Sequence, residues 1–277
     1  MRLVILSSSL YSETACAMAV RLGKLGHIPA GALALSTLNS GTLLRKLGQL
    51  GVGEVARYAR AKMIPQAGRN RASANNPYLE CLLKHERGMF RSLREVAESY
   101  GFPVAVCHNQ NSSESIAHLQ EWSPDLIIFT SGNILRRQLL EVPRLGVLNV
   151  HLALLPEVRG MSSPEWSLLN RVPVGITIHY MDAGIDTGPI LERREFPDVS
   201  QCESLSDLRN RLIAFGVERV GDVVEGLVHG TISPTPQSDL ERDNQFFVMH
   251  EWLHARAAAR LTASRARESC SGARINQ

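Results

Sequence analysis

Lysine is nearly missing from this chain: Lys24, Lys46, Lys62 and Lys84 are four of its 30 basic residues, and arginine supplies the rest. Aromatic residues are also sparse, at 5%, and no basic stripe interleaves with them, so the pattern of a nucleic-acid surface is lacking. Net charge is only +3. Arg256, Arg260, Arg265, Arg267 and Arg274 cluster near the C-terminus, where they read as a solvated helix face and a frayed tail. No apolar run reaches the roughly 18 residues that a membrane-spanning helix needs. Met1 to Leu6 turns polar too soon for a signal peptide, so a cytoplasmic protein with no membrane or nucleic-acid partner is expected. The five cysteines (Cys16, Cys81, Cys107, Cys202, Cys270) are scattered, with no C-x-x-C pair, which indicates neither a disulfide framework nor a zinc knuckle. Internal repeats, low-complexity segments and Pro- or Ser-rich linkers are lacking as well.

What is present is an ordinary globular composition, 44% hydrophobic and 21% charged over 277 residues, enough for a sizeable core. Short apolar runs alternate with amphipathic ones. Leu3–Leu6 reads as a strand, Thr14–Leu25 as a helix and Ile28–Leu35 as a second strand. Residues 38–101 read as a helical insertion, with helix-like stretches at Leu43–Met63 and Tyr78–Tyr100 around a polar segment, Pro65–Pro77. Val104–Cys107 is a short strand, and Asn111-Ser-Ser-Glu114 looks like a capping box opening a helix to Gln120. Asp125–Thr130 and Val147–His151 are strands, with a short helix, Ile134–Leu140, between them. Apolar strands separated by helices imply an α/β, Rossmann-like doubly wound, mainly parallel sheet. Gly175–Tyr180 and Pro189–Phe196 are expected to pair antiparallel, Leu205–Val228 to form a long helix, and Phe246–Leu261 a C-terminal helical extension. The expectation is one catalytic domain over residues 1–262, with 263–277 a disordered tail.

The chemistry-bearing feature is VLNVH. Residues two apart in a strand share a face, so Asn149 and His151 project together from the C-terminal end of an apolar strand, where open α/β sheets bind ligands. Taken alone, Asn-x-His is equally a strand end whose polar side chains cap neighbouring loops. Downstream come Leu154-Leu155-Pro156, Arg159-Gly160, Pro164, Trp166, Gly175-Ile-Thr-Ile-His-Tyr, and Asp182-Ala-Gly-Ile-Asp186-Thr-Gly188. Upstream lie Pro124-Asp125-Leu126-Ile127-Ile128 and Gly132-Asn133-Ile134-Leu135.

In these motifs, over about residues 100 to 195, the chain resembles the formyltransferases that use 10-formyltetrahydrofolate. The resemblance implies a catalytic Asn149, His151 and Asp186, with the Asn149 amide and a protonated His151 stabilising the oxyanion of a tetrahedral intermediate. Donors aimed at such an oxygen are worth roughly 10²–10³ in rate each. Asp186 would favour the imidazolium of His151 and help remove the amine's proton. The resemblance further implies a largely main-chain folate pocket from Ile134, Leu135, Leu154, Leu155, Pro156, Asp182, Ala183, Gly184 and Ile185, and 10-formyltetrahydrofolate as formyl donor without a metal. Read without it, these Leu and Ile residues are equally well core.

The chain departs from the family's pattern at Ala153, where a serine is usual, and at Ser7-Ser8-Ser9-Leu10, which is not the Gly-rich loop that cradles a phosphate. Met161 stands where the lipid-A sugar enzymes carry an arginine, and no C-terminal barrel like that of the methionyl-tRNA enzymes is expected. These features imply a small amine acceptor. Arg159–Trp166 (RGMSSPEW) is most similar to amino-sugar formyltransferases, while an amino acid or hydroxylated amine, as in siderophore assembly, is the alternative. With water in place of the amine the same residues would serve a formyltetrahydrofolate hydrolase. A homodimer is compatible with all of this. His250-Glu251-Trp252-Leu253-His254 also matches the zinc-protease pattern, but a third ligand is wanting: the residues after His254 hold only Glu268 as an acid and no histidine. Asp186-Thr187-Gly188 is a lone aspartic-protease triplet, and such enzymes need two.

Overall fold

The structure, a computed structural model, describes residues 1–36, 76–86, 88–238 and 244–272. Seven strands form its central sheet: β1 (Leu3–Ser7), β2 (Gly31–Leu35), β3 (Val104–Cys107), β4 (Leu126–Thr130), β5 (Gly146–His151), β6 (Gly175–Tyr180) and β7 (Ile190–Glu195). Their order is β7-β6-β5-β4-β1-β2-β3. Pairing is parallel from β3 through β2, β1 and β4 to β5, and antiparallel from β5 to β6 and β7. The expected mainly parallel, doubly wound sheet is therefore present, and strand order reverses between β1 and β4, where ligand crevices open in such sheets.

Because β1 is buried on both faces, its residues divide between two cores. Leu3 and Ile5 pack with helix α1 (Glu13–Lys24), helix α2 (Leu93–Tyr100) and the inner side of helix α5 (Leu205–Val228). Val4 and Leu6 pack with Leu33, Ile127, Phe129 and helix α3 (Ser113–Trp122). A third cluster joins Ile176, Phe196 and Leu212 to Met249, Ala257 and Leu261, seating helix α6 (Glu251–Gly272) beside helix α4 (Ser163–Asn170). Burying each such aliphatic side chain contributes roughly 1.5–3 kcal/mol. Serines open four of these helices: the hydroxyls of Ser12, Ser92, Ser112 and Ser204 accept main-chain N–H groups of the first turn.

Several sequence expectations change. Leu43–Met63 lies outside the described residues. Tyr78–Tyr100 is not one helix: Pro77–Leu79 is a 3₁₀ turn, Glu80–Leu83 a single helical turn, and Lys84–His85 pairs with Gly88–Met89 as a small hairpin. Gly88, at φ +133°, has a conformation no helix admits, and Ser92 starts a new helix. That new helix, α2, is the crossover between the parallel strands β2 and β3, so the end of the presumed insertion belongs to the sheet's own frame. The cap of α3 is Ser112, not Asn111. Helix starts only at Arg137 after β4, leaving Ile134 and Leu135 in a loop. Gln245–Phe246 is a strand paired with Arg159–Gly160, because its backbone groups are spent there, and helix begins at Glu251. The last helix runs from Glu251 to Gly272.

Candidate active site

Asn149 and His151 stand at the C-terminal end of β5, as the two-residue period requires. The antiparallel partner β6 places His179 directly opposite Asn149 and Thr177 opposite His151. The Asn149 Nδ2 atom lies 3.2 Å from His179 Nε2. His179 is almost wholly buried, and its Nδ1 lies 2.9 Å from the Tyr180 carbonyl, so Nδ1–H donates there and Nε2 is left to accept the Asn149 amide. Among the described residues the second hydrogen of that amide has no partner.

Asp186 reaches the same place from the turn after β6. Its Oδ2 lies 3.4 Å from His151 Nδ1, and its Oδ1 3.5 Å from His179 Nε2. Its Oδ2 also accepts the Gly160 N–H at 2.8 Å. The structure thus brings Asn149, His151 and Asp186 together around one point and adds His179 to them. Both histidine contacts are longer than a well-made hydrogen bond, which leaves room for each group to turn to a ligand atom.

Electrostatics separate the members. Burial pushes the Asp186 carboxyl up, but the His179 contact, the charge of a protonated His151 and the Gly160 amide outweigh it and hold the group at about 2. His151 goes the other way: burial pushes its imidazole below the ordinary value, and Asp186 and the Val158 carbonyl pull it only part of the way back. A neutral His151 gives Asp186 no charge to lean on, and a His179 Nε2 that accepts from Asn149 has no hydrogen to offer it, so the Gly160 N–H is the attraction that persists. The imidazolium expected from sequence is therefore not the favoured resting form. With His151 Nε2 2.8 Å from the Val158 carbonyl, Nε2–H is the proton it retains.

The neighbouring turns are held from several sides. Thr177 Oγ1 donates to the Ala153 carbonyl at 2.8 Å and accepts the Leu155 N–H at 3.0 Å, fixing the Leu154-Leu155-Pro156 turn to β6. Asn244 donates from Nδ2 to the Pro156 carbonyl and accepts from Arg159 Nε. Gly160, at φ +92°, has no room for a Cβ, which would meet the Phe246 carbonyl at 2.1 Å.

The sequence-derived pocket residues fall into two groups. Leu154 and Leu155 are fully buried and Leu135 belongs to the β1–β4 core, so their side chains are packing groups, and the Leu155 N–H is already spent on Thr177. Ile134 is 76% exposed, and Asp182, Ala183, Gly184 and Ile185 form an exposed turn in which Asp182 accepts from Gly184 N and Thr187 Oγ1. Sequence reasoning missed what holds the Ile134 loop. Asn111 Nδ2 donates to the Ile134 carbonyl and its Oδ1 accepts the Arg136 N–H, at 2.9 and 2.7 Å. The fully buried Gln110 donates to the Ser7 carbonyl and to Ser131 Oγ and accepts from Asn133 Nδ2. The loop after β3 thus reaches over β1 to clasp the loop after β4, across the point where strand order reverses.

The histidines of the zinc-like pattern are engaged separately. His250 Nδ1 accepts the Trp252 N–H at 3.3 Å, while His254 Nε2 lies 3.6 Å from the buried Glu165, whose carboxylate also takes two 2.7 Å bonds from Arg209. Among the described residues no three His, Cys, Asp or Glu side chains are grouped to hold a metal ion, and no helix is long and apolar enough to cross a membrane.

Comparison with known proteins adds a family. A sequence profile described as formyl transferase matches residues 52–224, more than half of the chain. The methionyl-tRNA formyltransferase of Pelobacter propionicus is 35% identical over 149 residues, covering 53% of this chain and 46% of that protein. The chain thus matches about half the length of the curated relatives. Among solved structures, glycinamide ribonucleotide transformylase 1 from Symbiobacterium toebii superposes with a TM-score of 0.55 at 16% identity, over 86% of this chain and 95% of that one. An N-formyltransferase from Helicobacter canadensis, in complex with folinic acid and dTDP-3-aminofucose, gives 0.52 at 15% identity, over 89% and 71%. At these identities the two structures speak for the fold.

Proposed function

Since the chain belongs to the formyl transferase family, we propose that it transfers a formyl group from 10-formyltetrahydrofolate to the amine of a small metabolite, an amino sugar being the favoured acceptor. The observation that carries the proposal is the meeting of Asn149, His151 and Asp186 at one point, with an amide hydrogen of Asn149 uncommitted. The residues fit the donor: the exposed Ile134 and Ile185 offer apolar surface, and the clasped 131–136 loop offers a fixed backbone. That donor, when bound, supplies an electrophilic formyl carbon. Asn149 then donates its free N–H to the formyl oxygen, and His179 keeps the amide turned that way. Asp186, ionised at any working pH, would accept the proton that the attacking amine gives up, directly or through a water, and that proton would pass to the donor nitrogen released as its bond to the formyl carbon breaks. His151 Nδ1, which carries no hydrogen in the neutral ring, can donate toward growing negative charge only after taking up a proton, and Asp186 steadies that positive form while it lasts.

The amino-sugar preference rests on the RGMSSPEW segment and on the sugar nucleotide named for the Helicobacter canadensis protein. The identity to methionyl-tRNA formyltransferases favours a second reading, in which the acceptor is a charged tRNA. Calorimetric titration with a stable 10-formylfolate analogue, followed by transfer assays against nucleotide-linked amino sugars and Met-tRNA, separates the two. Formylated sugar amine is the expected product. Formyl-Met-tRNA alone would replace the acceptor, and free formate without a formylated amine would make the protein a hydrolase.

A further inference from the structure

Asp186 adopts φ +54°, a left-handed conformation that L-residues avoid and that persists only where surrounding groups over-determine it. Among the described residues, no main-chain N–H bonds the carbonyls of Asp186 or Gly188. Both are taken by one side chain: Gln237 Nε2 donates to Asp186 O at 3.0 Å and to Gly188 O at 2.7 Å. The two hydrogens of a primary amide are thereby used up. Gln237 is brought there from beyond α5, on a segment strapped to the start of β7 by reciprocal 2.8 Å bonds between Ile190 and Thr235. On its far side the turn has no slack, since a Cβ at Gly188 would meet the Tyr180 carbonyl at 1.8 Å. The Gln237 Oε1 atom is buried with no partner among the described residues. An orphaned acceptor is unfavourable, so the amide's orientation is dictated by its two donor bonds. Turned over, its oxygen would face two carbonyl oxygens.

We propose that Gln237 is a positioning residue for Asp186: by gripping the carbonyls on either side of Thr187 it holds the turn in the form that delivers the carboxylate to Gly160 and to the two histidines. The structural half stands on the hydrogen bonds alone; its consequence for turnover rests on the formyl-transfer reading above. Gln237→Met keeps the length of the side chain and removes the donors. Gln237→Glu keeps the shape and sets two acceptors against the carbonyls.

The first readout is amide hydrogen exchange at Gly160 in the substrate-free protein, because that N–H is bonded to the Asp186 carboxylate. Gln237→Met should speed it about tenfold, and Gln237→Glu more, with global stability measured in parallel to separate local loosening from unfolding. Wild-type exchange at Gly160 in both variants would overturn the proposal, whatever their activity. In the transfer assay kcat should fall by about tenfold while the acceptor KM stays within about twofold, the pattern of a misplaced proton acceptor. A wild-type protein that transfers no formyl group, alongside faster Gly160 exchange in the variants, would sink the functional reading and leave the positioning role standing.

Discussion

Replacing Asp186 by Asn removes a charge while keeping shape and an oxygen for the Gly160 N–H. The carboxyl is held at about 2 in the folded protein against an ordinary 3.8, and its side chain is 15% exposed. At about 1.36 kcal/mol per pKa unit, that depression is worth about 2 kcal/mol of stability at neutral pH. The sign follows from the direction. A depressed carboxylate stabilises above its unfolded value and loses that contribution as pH falls through its folded value. In the wild-type protein about 1 kcal/mol should therefore disappear between pH 4 and 3, and most of the remainder by pH 2. Asp186→Asn has no such group, so its unfolding free energy should fall less steeply across the same window. Urea unfolding at half-unit steps from pH 4 to 2 measures the difference. Parallel losses in the two proteins would show that the folded protein does not hold this carboxyl below its ordinary value. Transfer activity of the variant at pH 7 should drop by roughly 10² or more, because the amine's proton has lost its acceptor.

Other consequences are as definite. Asn149→Ala should lower the single-turnover rate by roughly 10²–10³ with donor-analogue affinity little changed, and a near-wild-type rate would remove Asn149 from the chemistry. Asn111→Ala, which takes two hydrogen bonds from the 131–136 loop, should weaken donor-analogue binding about tenfold in calorimetry and leave the saturated kcat close to wild type. Gly188→Ala forces a methyl onto the Tyr180 carbonyl and should destabilise by about 2 kcal/mol or more, read by thermal unfolding; a wild-type midpoint would contradict that packing. Arg209→Ala strands the buried Glu165 and should cost about 2–4 kcal/mol, whereas His254→Ala, at a 3.6 Å contact, should cost well under 1 kcal/mol; a reversed order in chemical denaturation would mean that His254 is the true partner.

The strands were legible because their periods and apolar runs are local properties, and Asn149 and His151 came with them, two residues apart on one strand. Asp186 was legible only through its motif. His179 lies in plain view in Gly175–Tyr180 but reads only as a strand residue, because its role depends on the register of β6 against β5, which neither strand's own pattern contains. Gln237, Gln110 and Asn111 were invisible for the same reason: each acts on a backbone far away in sequence. The hairpin within Tyr78–Tyr100 was hidden by a helix-like apolar spacing that Gly88 and Ser92 override. The protonation of His151 is not legible in sequence, because a pattern records the neighbouring carboxylate and not the depth of burial.

The clasp formed by Gln110 has a consequence in time. Its bond to Ser7 spans 103 residues, and it cannot close until β1, β2 and β3 are already side by side. Distant contacts carry the largest loop-closure entropy and are made late. The Ile134 loop therefore receives its shape only after the sheet is assembled, and a refolding chain should recover its secondary structure before it recovers the clasped form of that loop.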